Sequence, residues 1–151
     1  MKSMQILLLS ALIIGLTQPT LGQLNATDWF DVGVTLYDQN RFNDSLQAYE
    51  KAIEIDPQFA EAWNNKGISL GMLNRYDEAI FAFNAAATIN STYAEAWYNM
   101  GVIYDLKGDY ESAVQAYSMA IGLNPSYQKA IINKNNDIDI MTNTWPDWEN
   151  Y

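Results

Sequence analysis

Apolar residues in this chain fall into short stripes with the spacing of a helix face. In AEAWYNMGVIYDL, which starts at Ala94, Trp97, Met100, Gly101 and Tyr104 stand at i, i+3, i+4 and i+7. Those offsets bring side chains to one side of a helix with 3.6 residues per turn. A second stripe of Ala113, Tyr117 and Ala120 follows after Leu-Lys-Gly-Asp, a break that contains Gly108 and carries the composition of a turn. The pattern predicts a helix, a short turn and a second helix.

This unit recurs. Trp29, Trp63 and Trp97 are 34 residues apart, as are Gly33, Gly67 and Gly101. Phe42, Tyr76 and Tyr110 keep the same step, and so do Tyr49, Phe83 and Tyr117, then Ala52, Ala86 and Ala120, then Phe59, Tyr93 and Tyr127. Columns that recur in register at such a period mark a repeat architecture, with units at 26–59, 60–93 and 94–127. A Gly at the eighth position and an Ala at the twenty-seventh let helices approach, and the rings fill the space between them. Pro57 and Pro125 close the first and third units, because proline restricts the residue before it and cannot donate inside a helix. Ser91 takes that slot in the second unit and is a candidate cap for the next helix. One unit cannot bury its stripe alone; a stack of three can.

The order of Trp, Gly and Tyr on the first helix and Ala, aromatic, Ala and Pro on the second is seen in AEAWYNMGVIYDLKGDYESAVQAYSMAIGLNP, Ala94 to Pro125. It resembles the tetratricopeptide repeat. The resemblance covers Ala26 to Tyr127, about two thirds of the chain. It implies an all-α fold, a right-handed α-solenoid of helix-turn-helix repeats. Leu36 stands where the family carries Tyr, Ser45 where it carries Ala, and Lys66 where it carries Leu; the two polar replacements predict looser packing around the first two units. Residues 128–141 resume an apolar spacing at Ala130, with Asn135 in the Gly slot, and read as a C-terminal capping helix. Residues 142–151, TNTWPDWENY, read as a flexible tail.

In that family the first helix of every unit lines a concave face. The resemblance therefore implies a peptide-binding groove made of Phe30, Val34 and Tyr37 in the first unit. The second unit would add Glu61, Asn64, Asn65, Ile68 and Met72, and the third Glu95, Tyr98, Asn99 and Val102. Such a trough is apolar along its middle, with amides at Asn65 and Asn99 positioned to hold a peptide backbone. Phe30 and Tyr98 are the expected ring anchors; the alternative for these residues is packing between neighbouring helices. Family members that clamp the acidic carboxyl termini of chaperones use Lys and Arg on this face. Asn65 matches the Asn they share, but Glu61, Glu95 and Asn99 stand where cations are needed, which disfavours an acidic ligand.

Composition narrows the function. Lys plus Arg number 8 against 18 Asp plus Glu, a net charge of -10, which opposes the phosphate neutralisation that nucleic-acid binding requires. With no Cys and no His, disulfides, thiol chemistry, Cys/His zinc sites and imidazole mechanisms are excluded. No cofactor or metal is expected: the cluster Asn133, Asn135, Asp137 and Asp139 lacks the Gly and closing Glu of a calcium loop. Scattered acids such as Asp31 and Asp38 leave a carboxylate hydrolase as a remote alternative to a non-enzymatic role.

Residues 1–22 place one Lys before an apolar run from Ile6 to Leu16 and small residues at Thr20 and Gly22, the layout of a signal peptide. The run is shorter than the roughly 17 to 25 residues of a spanning helix. A secreted or cell-envelope location is expected, with membrane tethering if the segment is retained. Asn25, Asn43 and Asn90 begin Asn-x-Ser/Thr sequons and are candidate glycosylation sites. The expected partner is a protein or peptide, in a role such as assembly of an envelope complex. The competing expectation is a homo-oligomer, with Trp145 to Tyr151 docked in another copy's trough.

Overall fold

The computed structural model describes residues 24–143. The signal-peptide reading of residues 1–22 and the aromatic tail from Trp145 to Tyr151 lie outside the described residues. Within them the chain forms α1 (Ala26–Asp38), α2 (Phe42–Ile55), α3 (Ala60–Met72), α4 (Tyr76–Ile89), α5 (Ala94–Leu106), α6 (Tyr110–Leu123) and α7 (Gln128–Asn143), with no strand. None of these helices is long and apolar enough to cross a membrane. The last one runs past residue 141 into the segment read as tail, and the Thr142 hydroxyl donates to the Ile138 carbonyl at 3.0 Å as part of its final turn.

Local chemistry sets the helix ends. Asn25 caps α1 by accepting from the Asp28 amide at 3.0 Å, while the Asp28 carboxylate accepts from the Asn25 amide at 2.9 Å. This reciprocal pair satisfies two amide donors that have no partner inside the helix. The turn inside each unit depends on a left-handed residue at one register position: Asn40 and Asn74 at φ 58° and Gly108 at φ 75°. Gly and Asn tolerate that conformation best. The turns between units share another device. Asp56 accepts from the Gln58 amide, Asn90 from the Thr92 amide, and Asn124 from the Ser126 amide, each at 3.0 to 3.2 Å. Ser91 is exposed in that turn, and Tyr93 precedes α5 without a side-chain cap. The capping role expected of Ser91 is therefore not realised, because Asn90 already closes the loop.

Inside each unit a ring packs closely against a glycine. A Cβ added at Gly33, Gly67 or Gly101 would come within 2.5 to 2.6 Å of Tyr49, Phe83 or Tyr117 respectively, closer than carbon atoms can pack. The 34-residue glycine and aromatic columns are thus two halves of one contact. Ala52, Ala86 and Ala120 are fully buried, as are Tyr49, Phe83 and Tyr117.

The polar replacements do not loosen the stack. Ser45 is completely buried and its hydroxyl meets that of Ser69 at 3.0 Å, so a hydrogen bond links the first unit to the second. Lys66 lies over the Trp63 ring at 5.4 Å and reaches Glu50 of the first unit at 3.1 Å. Each polar group has a partner, which removes the cost of burying it alone.

Each helix packs on the next in sequence, and α1 also touches α3 as α3 touches α5. The second helices of successive units make no comparable contact among the described residues. First helices close together and second helices splayed apart curve the stack, with α1, α3 and α5 on its inner side. The fold is an all-α solenoid of helical repeats.

Candidate functional site

The inner row holds the expected groove residues, but they divide into three kinds. Val34 and Tyr37 of α1, Asn65 and Ile68 of α3, and Tyr49 beneath them line a hollow of about 80 Å3 between the first two units. That is about half the size of an apolar cavity that admits benzene, which at roughly 150 Å3 is a known reference. It has room for one small aliphatic side chain. Met72 and the carboxylates Glu61 and Glu95 are exposed, and Val102 is half-buried against the core of the third unit.

Phe30 and Tyr98 are the second kind. Phe30 stacks at 4.9 Å on Phe59 and 5.7 Å from Tyr49. Tyr98 repeats the arrangement at 4.9 Å from Tyr127 and 5.8 Å from Tyr117. Both rings pack against rings of their own unit and remain partly exposed.

The amides are the third kind. Asn65, Asn99 and Asn133 occupy one register position, 34 residues apart. Asn133 donates to the Tyr117 hydroxyl at 3.4 Å, and Asn65 sits against the Tyr49 hydroxyl. The ring in between is Phe83, which offers Asn99 no oxygen. Asn99 instead donates to the Asn64 carbonyl oxygen at 3.0 Å, and Asn64 in turn donates to Asn65 at 3.3 Å. Asn64 is only 1% exposed, so it braces the second and third units rather than lining an open trough. Asn99 donates one N–H to it while Asn65 sits against Tyr49, so the two amides expected to hold a peptide backbone stand in different surroundings. The 34-residue Asn column is visible in sequence, whereas the exchange of partners forced by Phe83 joins atoms of two units and leaves no trace in spacing.

The electrostatics of this side are one-sided. Burial raises the Tyr93 hydroxyl to about 12, and the fields of Glu95 and Glu61 push the same way. Tyr127 is likewise raised to about 12 by burial and then Glu95. Burial also raises Tyr49, with Asp38 adding to it, and Tyr117, with Asp105 and Asp137 adding to it.

Three features fall outside the expected groove. A larger hollow of about 300 Å3 lies between α1 and α2 over Trp29, Leu36 and Ala48, rimmed by Arg41, Asp44 and Lys51. At the same register of the second unit the Phe81 ring meets Trp63 edge-on at 6.1 Å, where the first unit has Gln47. Asp137 of α7 is 2% exposed, with one carboxyl oxygen lacking a hydrogen-bond partner. Burial, then the nearby Asp105, pushes its carboxyl up to about 6. Among the sequon residues, Asn25 is occupied as a cap and Asn90 as the loop closure, where it also accepts from the Thr92 hydroxyl at 2.9 Å. Asn43 is exposed on the first turn of α2.

Comparison with known proteins agrees with this geometry. The sequence model described as the tetratricopeptide repeat matches residues 60–93 and 94–127, and a related TPR repeat model matches residues 33–74. No curated protein matches the chain. Among solved structures, the first TPR domain of Spaghetti (RPAP3), bound to the HSP90 peptide SRMEEVD, superposes with a TM-score of 0.76 at 19% identity, covering 78% of this chain and 94% of that one. MamA gives 0.72 at 28% identity, covering 76% of this chain and 63% of its own. YrrB, a TPR protein with an unusual peptide-binding site, gives 0.72 at 27% identity, covering 76% and 59%. The chain thus spans less than two thirds of these MamA and YrrB structures. With ring-on-glycine units at a 34-residue period, a curved stack of paired helices and these matches across residues 33–127, the chain belongs to the tetratricopeptide-repeat family.

Proposed function

We propose that this protein is a protein-interaction module whose inner face receives a polypeptide segment, with no catalytic role of its own. The observation that carries the reading is the hollow of about 80 Å3 between α1 and α3. It joins apolar walls from Val34, Tyr37 and Ile68 to the polar groups of Asn65 and Tyr49, the mixture by which a site both holds and orients a side chain. The peptide-binding site of YrrB, a protein of the same fold at 27% identity, supports it. Asp31 and Asp38 are exposed on α1, without the apolar pocket that prepares a carboxylate for acid–base work.

Selection of displayed random peptides on the full chain tests this. Enriched peptides are expected to bind the Ile68→Phe variant more weakly by about tenfold or more, since the ring fills the anchor site. A thermal melt checks that the variant is folded. Undiminished binding by a folded variant sinks the groove reading.

Export to the cell envelope, and a part in assembling a complex there, belong to the same proposal and are supported by the sequence of residues 1–22 alone. Cell fractionation with amino-terminal sequencing tests export; an intact chain confined to the cytoplasm refutes it.

A further inference from the structure

The ion-paired carboxylates among the described residues all lie on second helices. Five Lys and Arg side chains form ion pairs: Arg41 with Asp44, Lys51 with Glu54, Lys66 with Glu50, Arg75 with Glu78, and Lys107 with Asp77. Every acid in those pairs belongs to a second helix, α2 or α4. The acids of the first helices are Asp28, Asp31 and Asp38 on α1, Glu61 on α3, and Glu95 and Asp105 on α5. None of these six joins an ion pair among the described residues. Four are exposed; Asp105 and the capping residue Asp28 are half-buried.

Carboxylates without counter-charges attract a cationic partner, and electrostatic complementarity of this kind raises association rate and selects among partners. The six carboxylates are spread over three helices, and no group of three gathers closely enough to hold a metal ion among the described residues. A charge distribution of this shape suits a partner whose own charges are spread out, as along an extended chain.

We propose that the segment received by the inner face is basic: a polypeptide stretch with a small aliphatic side chain, seated between Val34 and Ile68, and Lys or Arg side chains flanking it that meet the carboxylates of α1, α3 and α5. The inference rests on the groove reading above and adds the chemical class of the partner. The side chain fits the hollow of about 80 Å3, and the flanking cations complete the pairing that Glu61 and Glu95 lack.

The test uses the full chain and four synthetic peptides of about nine residues: Val at the centre flanked by Lys and Arg, the same with Gln flanks, the same with Asp and Glu flanks, and the Lys/Arg peptide with Gly for Val. Binding is measured by fluorescence anisotropy at about 50 and about 250 mM salt, together with the methyl NMR signals of Val34 and Ile68. The Lys/Arg peptide with Val is expected to bind at least about tenfold more tightly than the Gln peptide at low salt and to lose most of that advantage at high salt. It is expected to shift both methyl signals. Combining Asp31→Asn, Asp38→Asn, Glu61→Gln and Glu95→Gln is expected to equalise the two peptides; Glu61→Gln alone serves as the second variant if the combination unfolds.

Equal binding of the Lys/Arg and Gln peptides, both shifting Ile68, overturns the basic-partner inference and leaves the groove reading standing. Binding of the Lys/Arg peptide that is as tight with Gly at its centre and leaves Ile68 unmoved overturns the seated side chain. Absence of any methyl shift with all four peptides overturns both readings.

Discussion

One oxygen atom separates Phe83 from Tyr49 and Tyr117, and its absence is answered on a neighbouring helix. Where the first and third units offer a hydroxyl to the Asn of the following helix, the second offers a bare ring edge, and Asn99 turns to Asn64 at 3.0 Å. A buried amide left without a partner costs about 1 to 3 kcal/mol. Asn64→Ala is therefore expected to destabilise the fold by about that amount, and Phe83→Tyr in the same background to recover part of it by restoring the hydroxyl. Urea unfolding of the two single variants and the double variant gives the coupling; strict additivity would refute the exchange. At this scale the sequence was legible where a large residue recurs. The rings of Tyr49, Phe83 and Tyr117 and the glycines under them could be read from spacing because each contact lies within a unit. Ser45 with Ser69, and Asn64 with Asn99, pair across units, and spacing along the chain says nothing of which polar atoms meet there.

Helices joined by three- or four-residue turns were legible from stripe and break, with the left-handed turn marked by Gly108 and less openly by Asn40 and Asn74. The end of α7 was not, because Thr142 and Asn143 have the polar character of a tail while their helix is continued from inside. The same helix carries a buried carboxylate. Asp137 is buried against the third unit with Asp105 nearby, and its carboxyl is raised from an ordinary 3.8 to about 6. A raised value means the folded state holds the proton more tightly than the unfolded one. The docking of α7 is therefore favoured fully below about pH 3.8 and weakened as pH rises through about 6. A difference of about two pKa units corresponds to roughly 3 kcal/mol. Hydrogen exchange of the α7 amides is expected to show less protection at pH 7.5 than at pH 5, after correction for intrinsic rates. Asp137→Asn is expected to remove the dependence and to protect α7 at neutral pH. Unchanged pH dependence in that variant would place the cause elsewhere, since Asp109 and Glu78, both held below the usual carboxylate range by Ser112 and Arg75, act in the opposite direction.

For the molecule as a whole, the order of units followed from a period that no other architecture explains, while the distribution of charge between faces followed only from the stacking. Curvature arises because α1 meets α3 and α3 meets α5 while the second helices splay. The cap matters at this scale. Ala130 joins Ala113, Tyr117 and Ala120 in one buried cluster, and a chain that stops after Ser126 would leave that surface open. Exposure of one large ring and its neighbours costs about 2 kcal/mol or more. The shortened chain is expected to unfold at lower urea concentration, with exchange protection in α5 and α6 lost ahead of α3 and α4; a uniform loss would mean the array melts as one block. Because each helix leans chiefly on the next, a pull applied between the two ends would run through every joint in series, so the folded chain is built as a spring whose extension proceeds one joint at a time.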